Sequence, residues 1–267
     1  MPNRKSSPLP RAAVRVRRGY FECRFGQLHV HHAIPGGGGF EEATPLLALH
    51  PAGHSGQLYA ALLAALGEDR SAFAPDLPGF GQSDRPGVLS FGELAAALGD
   101  FLDTMRLRQI DVLGCGLGAH VALELLAAHR AVRRVIIAAL PTVATPPPPR
   151  AAETADEFLR AVCHSARADC GADAPPEALF SACGERLQHA AAAAQAGMLE
   201  QTRPLRERLR AVTHPLLLLH APEHPHGFAL TAADLPPQTQ RGACGGIAAL
   251  GAGAAPLVAA IHSFLTA

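Results

Sequence analysis

The sequence predicts an α/β fold built on one mostly parallel sheet, and three observations carry that prediction. Short apolar segments alternate with segments whose apolar residues recur at helical spacing, from Pro45 through Leu140. One strand-helix pair is joined by Gly114, Gly116 and Gly118, three glycines within five residues. Such a run fits a sharp turn from a buried strand into a helix packed close beside it. Finally, 267 residues at 48% hydrophobic content can bury a large core. Strands separated by helices are returned in the same direction by each crossover, so they pair in parallel under helices on both faces.

Residues 1–14 read as a disordered basic tail carrying Arg4, Lys5 and Arg11, without the apolar run of a signal peptide. Residues 13–34 alternate around Gly26 and predict an antiparallel hairpin. His29 and His31 share one face of it and His32 the other, and the pair is expected to face solvent. Gly36 to Gly39 form a loop, not a phosphate cradle, because they follow a hairpin and open no helix. Pro45 to His50 is a buried strand running into Pro51-Ala-Gly-His-Ser-Gly56, and Gln57 to Leu66 is a helix. Ser71 to Pro75 is a strand, followed by the loop Asp76-Leu-Pro-Gly-Phe-Gly-Gln-Ser-Asp84. Ser90 caps a helix through Met105, whose core face is Phe91, Leu94, Leu98, Phe101 and Leu102.

Ile110, Val112 and Leu113 form the strand before the glycines, and Val121, Leu123, Leu125 and Leu126 mark the helix after them. Arg133 to Leu140 is the next strand. The alternation breaks at Pro141, and Pro146 to Pro149 is a rigid run. Residues 144–210 read as a helical cap inserted into a core made of 15–143 and 211–267. Pro215 to His220, with four consecutive leucines, resumes the sheet. A last strand is placed near 241–249, and Pro256 to Leu265 is the closing helix.

Charge and composition narrow the function. Lys+Arg and Asp+Glu both number 23, so there is no basic excess for nucleic acid. Trp is absent and Tyr occurs twice, leaving no platform for stacking bases. No apolar stretch reaches the ~20 residues of a membrane helix. The six cysteines are scattered without a C-x-x-C pair, so reduced thiols in a cytoplasmic chain are expected.

The order of these segments resembles the α/β-hydrolase family over roughly residues 15–266. Four stretches carry the likeness: Leu49-His-Pro-Ala-Gly53 after a strand, the Asp76-to-Asp84 loop, the Gly114-to-Gly118 turn, and Pro215 to Leu219. The resemblance implies a mostly parallel, eight-stranded sheet with helices on both faces and a helical cap. It also implies where chemistry would sit. The family's G-x-S-x-G elbow presents a nucleophile at its middle residue, which here is Gly116. The acid falls at His224, with Glu223 beside it, and the histidine falls at Gly246. No histidine lies between His226 and His262. The expectation is a degenerate triad, with no serine acyl-enzyme route.

Pocket candidates are then His50, His54, Ser55, Cys115, Gly116, Leu117, Glu223 and His224. His54 and Ser55 occupy the loop that in the family builds half the oxyanion hole, either for proton transfer or for loop hydrogen bonding. Cys115 is expected to be a small buried thiol under the elbow rather than a nucleophile. Asp76, Ser83 and Asp84 are expected to shape their loop. Histidines at strand ends, with Cys115 and Glu223, suggest metal ligation. However, no H-E-x-x-H spacing is present, and neither metal nor cofactor is expected. The leading expectation is a non-hydrolytic member that binds a small apolar or aromatic molecule and performs acid-base chemistry or none. The alternatives are a pseudoenzyme acting through a homodimer or an active paralogue, and an unorthodox esterase or lactonase using pocket histidines.

Overall fold

In the computed structural model, the described residues are 14–36, 43–139, 154–170, 174–220, 232–245, 247–250 and 254–267. Alternating residues on either side of Gly26 form the expected hairpin, β1 (Arg17–Cys23) and β2 (Gly26–Ala33). The apolar runs become β3 (Ala43–Leu49), β4 (Arg70–Pro75), β5 (Ile110–Cys115), β6 (Val132–Ala139) and β7 (Leu216–His220). A short β8 (Gln240–Ala243) closes the far edge. The sheet order is β1-β2-β4-β3-β5-β6-β7-β8. β1 and β2 pair antiparallel, as do β2 and β4, and the remaining pairs are parallel.

The central strands are near-continuous apolar runs because both of their faces are covered. On β3, Leu47 and Leu49 enter one core cluster while Leu46 and Ala48 enter the other, as a two-residue period requires. The first face is covered by α2 (Phe91–Thr104) and α3 (Leu117–Ala128), through Leu94, Leu98, Phe101, Val121 and Leu125. The second face is covered by α1 (Ala60–Leu66) and the closing α7 (Ala255–Thr266), through Leu62, Leu66, Leu257 and Ile261. α2 begins where the sequence placed its cap, with Glu93 N donating to Ser90 Oγ at 3.1 Å.

Between β6 and β7 in chain order come α4 (Ala155–Cys170), α5 (Pro176–Thr202) and α6 (Leu205–Leu209). The final strand differs from expectation. Pairing stops at Ala243, and 247–250 form a 3-10 turn. Ile247 and Leu250, three residues apart, stack into the second core cluster instead of continuing an edge strand. No described helix is long and apolar enough to cross a membrane.

Candidate functional site

Gly116 sits at the junction of β5 and α3 with φ 50 and ψ −122, a conformation that side-chain-bearing residues adopt only under strain. The helix begins at the very next residue. Gly118 N donates to His50 O at 3.1 Å, and a Cβ at position 118 would lie 2.1 Å from Leu49 O. Only glycine lets the first turn of α3 close onto the end of β3 so tightly. The elbow's backbone is therefore complete, and no side chain projects from its middle residue.

Cys115 is the small buried thiol expected, and as pocket-lining residues Cys115, Leu117 and His50 are corrected. Cys115 is buried in the second core cluster, turned away from the elbow's open side, and Leu117 is buried in the first. His50 is also enclosed. Its Nδ1 donates to Pro51 O at 2.8 Å, which leaves Nε2 to accept from Leu77 N at 2.9 Å. Burial lowers its pKa to about 4, so it is a neutral strap between the loops after β3 and β4.

His54 and Ser55 reach the helices instead. His54 Nε2 lies 3.3 Å from Asp169 Oδ2 of α4, and Arg186 of α5 pairs with the same carboxylate oxygen. All three side chains are buried. Ser55 Oγ donates to Glu185 Oε1 at 2.5 Å. One turn along α5, His189 Nε2 accepts from Gly81 N at 3.1 Å. α5 is thus fastened to both loops that follow β3 and β4.

Beneath that fastening lies a cavity of about 620 Å³, walled by β1, β2, the two loops and α5. Its lining is polar, with Tyr20, His31, Ser55, Gln57, Glu185 and Gln188 among the side chains. Asp76 forms its floor. The Asp76 carboxylate accepts from Gly56 N (2.7 Å), Gln82 N (2.8 Å) and His29 Nδ1 (2.8 Å). Gly81, at φ 54, is obligatory beside it, because a Cβ there would lie 1.9 Å from Asp76 Oδ2. Ser83 Oγ donates to Asp76 O, and Asp84 accepts from Gln27 N. These contacts shape the loop, as the sequence led one to expect.

The His29–His31 pair does not face solvent. Both rings are buried, at 4% and 6% exposure, because α5 and the Asp76 loop cover that face of the hairpin. The antiparallel β2–β4 register pairs Val30 with Pro75, which sets Asp76 opposite His29. Asp169, Glu185, Arg186 and His189 were missed because the intervening helices read only as an Ala-rich cover. Glu223, His224 and Gly246 lie outside the described residues.

The sequence profile of the Alpha/beta hydrolase family matches residues 46–261. No curated protein matches the chain. Among solved structures it is similar to a Ser-to-Gly mutant of the N-acyl homoserine lactonase AidH complexed with N-hexanoyl homoserine lactone. The TM-score is 0.71 at 22% identity, over 93% of this chain and 97% of that one. It is similar to the esterase RhEst1 from Rhodococcus, with TM-score 0.69 and 21% identity over 96% and 99% of the two chains. It is also similar to a bromoperoxidase from Bacillus anthracis, with TM-score 0.71 and 14% identity over 94% and 100%. With its sheet order, its glycine elbow and a profile match along most of its length, the chain belongs to the alpha/beta hydrolase family.

Proposed function

We propose that this family member binds a small polar molecule in the cavity beneath α5 and acts on it by acid-base chemistry without a serine acyl-enzyme. The cavity's polar lining carries the binding half of the reading, and Gly116, which does not line that cavity, carries the exclusion of an acyl-enzyme. The elbow backbone is retained, while the position from which a nucleophile would attack holds no side-chain atom. The polar lining favours a polar ligand over the apolar one expected from sequence. Ser55 and Glu185, already hydrogen-bonded to each other at 2.5 Å, are the pair that would give and take a proton. On this reading α4–α6 are the cap, and α5 forms one wall of a cavity that is open to solvent. The fold's likeness to lactonase and esterase structures supports a carbonyl compound as ligand, by analogy of fold alone.

A second reading rests on α5's outer face. Phe180, Leu187 and Met198 are exposed and separated by 7 and 11 residues, so they line one stripe of the helix. That stripe would seat a second copy of this chain.

One sample tests both readings. Calorimetric titration with lactones and short carboxylates should show saturable binding that Glu185→Gln weakens at least tenfold. Light scattering of the same protein should give a monomer. The absence of binding across both ligand classes contradicts the first reading, and a dimer dispersed by Phe180→Ser supports the second.

A further inference from the structure

We propose that His29, His31 and Asp76 form a binding site for one divalent transition-metal ion, with its open coordination positions turned to the cavity. The three side chains come from two elements and are all buried, Asp76 at 1% exposure. Their donor atoms lie within 4.8 Å of one another. All three line the cavity, so an ion held by them would keep sites for water or a ligand oxygen. Two imidazoles and one carboxylate form a donor set suited to zinc or ferrous iron rather than to calcium or magnesium.

The donors are spread over up to 4.8 Å, wider than the about 4.2 Å that two ligands at about 2.1 Å from one ion can span, so the side chains draw together as the ion binds. His31 Nε2 stands 3.8 Å from Asp76 Oδ1, too far for a hydrogen bond. That gap is close to the separation of two donors that each bind one ion at about 2.1 Å. His29 Nδ1, at 2.8 Å from Asp76 Oδ2, needs to move away by only about 0.5 Å as the ion replaces its proton. The supporting contacts are already made. Gly56 N and Gln82 N hold the carboxylate, and Tyr20 packs on the His29 ring at 5.0 Å between centroids. Shaping the loop accounts for Gly56 and Gln82, whereas His31 packs edge-on against the His29 ring at 4.8 Å and turns its Nε2 toward the same carboxylate without hydrogen-bonding it. Arg18 faces the same cavity and opposes a cation, while Glu185 favours one.

The test is a cobalt(II) titration of the tag-free, full-length protein, followed by its visible ligand-field absorption and by thermal unfolding. The expected result is one cobalt per chain, displaced by zinc, with a raised unfolding temperature. Affinity should fall at least tenfold in His31→Gln and in His29→Gln, with circular dichroism unchanged. It should be unaltered in His164→Gln, which replaces an exposed histidine on α4. A folded wild type that develops no such absorption at saturating cobalt overturns the site, and so does equal affinity in wild type and His31→Gln. The outcome is independent of ligand binding. A protein that takes cobalt but no lactone or carboxylate sinks the cavity reading and leaves this one standing.

Discussion

Asp111 shows how much one residue's surroundings decide. It lies near the N-terminal end of β5, between β3 and β6, at 1% exposure. Burial raises its pKa to about 6, against the pull of Arg134, Arg133 and Arg70. The unfolded chain releases this proton near pH 4, whereas the native chain keeps it to about pH 6. Between those values the native state binds more protons, so Asp111's contribution to stability is lost as pH rises through that window. His50 acts in the opposite sense, because its pKa is lowered to about 4 and the native state resists its protonation. Comparing wild type with Asp111→Asn isolates the carboxyl. The variant should match wild type near pH 4 and exceed it by about 2 kcal/mol at pH 8, read from urea midpoints. A variant less stable than wild type at pH 8 contradicts this account.

At the scale of elements, the contact between α5 and the two loops shapes one wall of the cavity. α5 is Ala-rich, and its inner face contributes Arg186 and His189, which are buried, along with Glu185. The Asp169–Arg186 pair is enclosed beside His54, so replacing Asp169 removes a buried carboxylate that both Arg186 and His54 contact. Asp169→Asn should weaken the docking of α4 and α5 by about 3 kcal/mol. Hydrogen exchange should then quicken in α4 and α5 while β3, β5 and β6 stay protected. Equal protection of both helices in variant and wild type would show that this pair does not fasten them.

These elements were unequally legible in the sequence. Leu216 to Leu219 and Val135 to Ile137 announce strands buried on both faces, because a run of large apolar residues has no polar face to expose. The elbow was legible because three glycines between a strand and a helix leave little alternative. The cavity was not. Alternation in β2 assigns His29 and His31 to one face, yet only the placement of a helix some 150 residues later decides that this face is covered. Nor does an arginine or aspartate in an Ala-rich helix reveal that its partner lies in the loop after β3.

On the scale of the whole molecule, an eight-stranded sheet, its helical layers and its glycine turn hold Gly116 where this fold presents a nucleophile. An elbow backbone with no side chain at its middle residue is the centre of the account. The most direct measurement is intact-mass analysis of the wild-type protein after incubation with a fluorophosphonate, alongside an active serine esterase. The account predicts an unmodified mass for this chain while the esterase is fully labelled. A stoichiometric phosphonylated serine, at Ser55 or anywhere else in the chain, would contradict it.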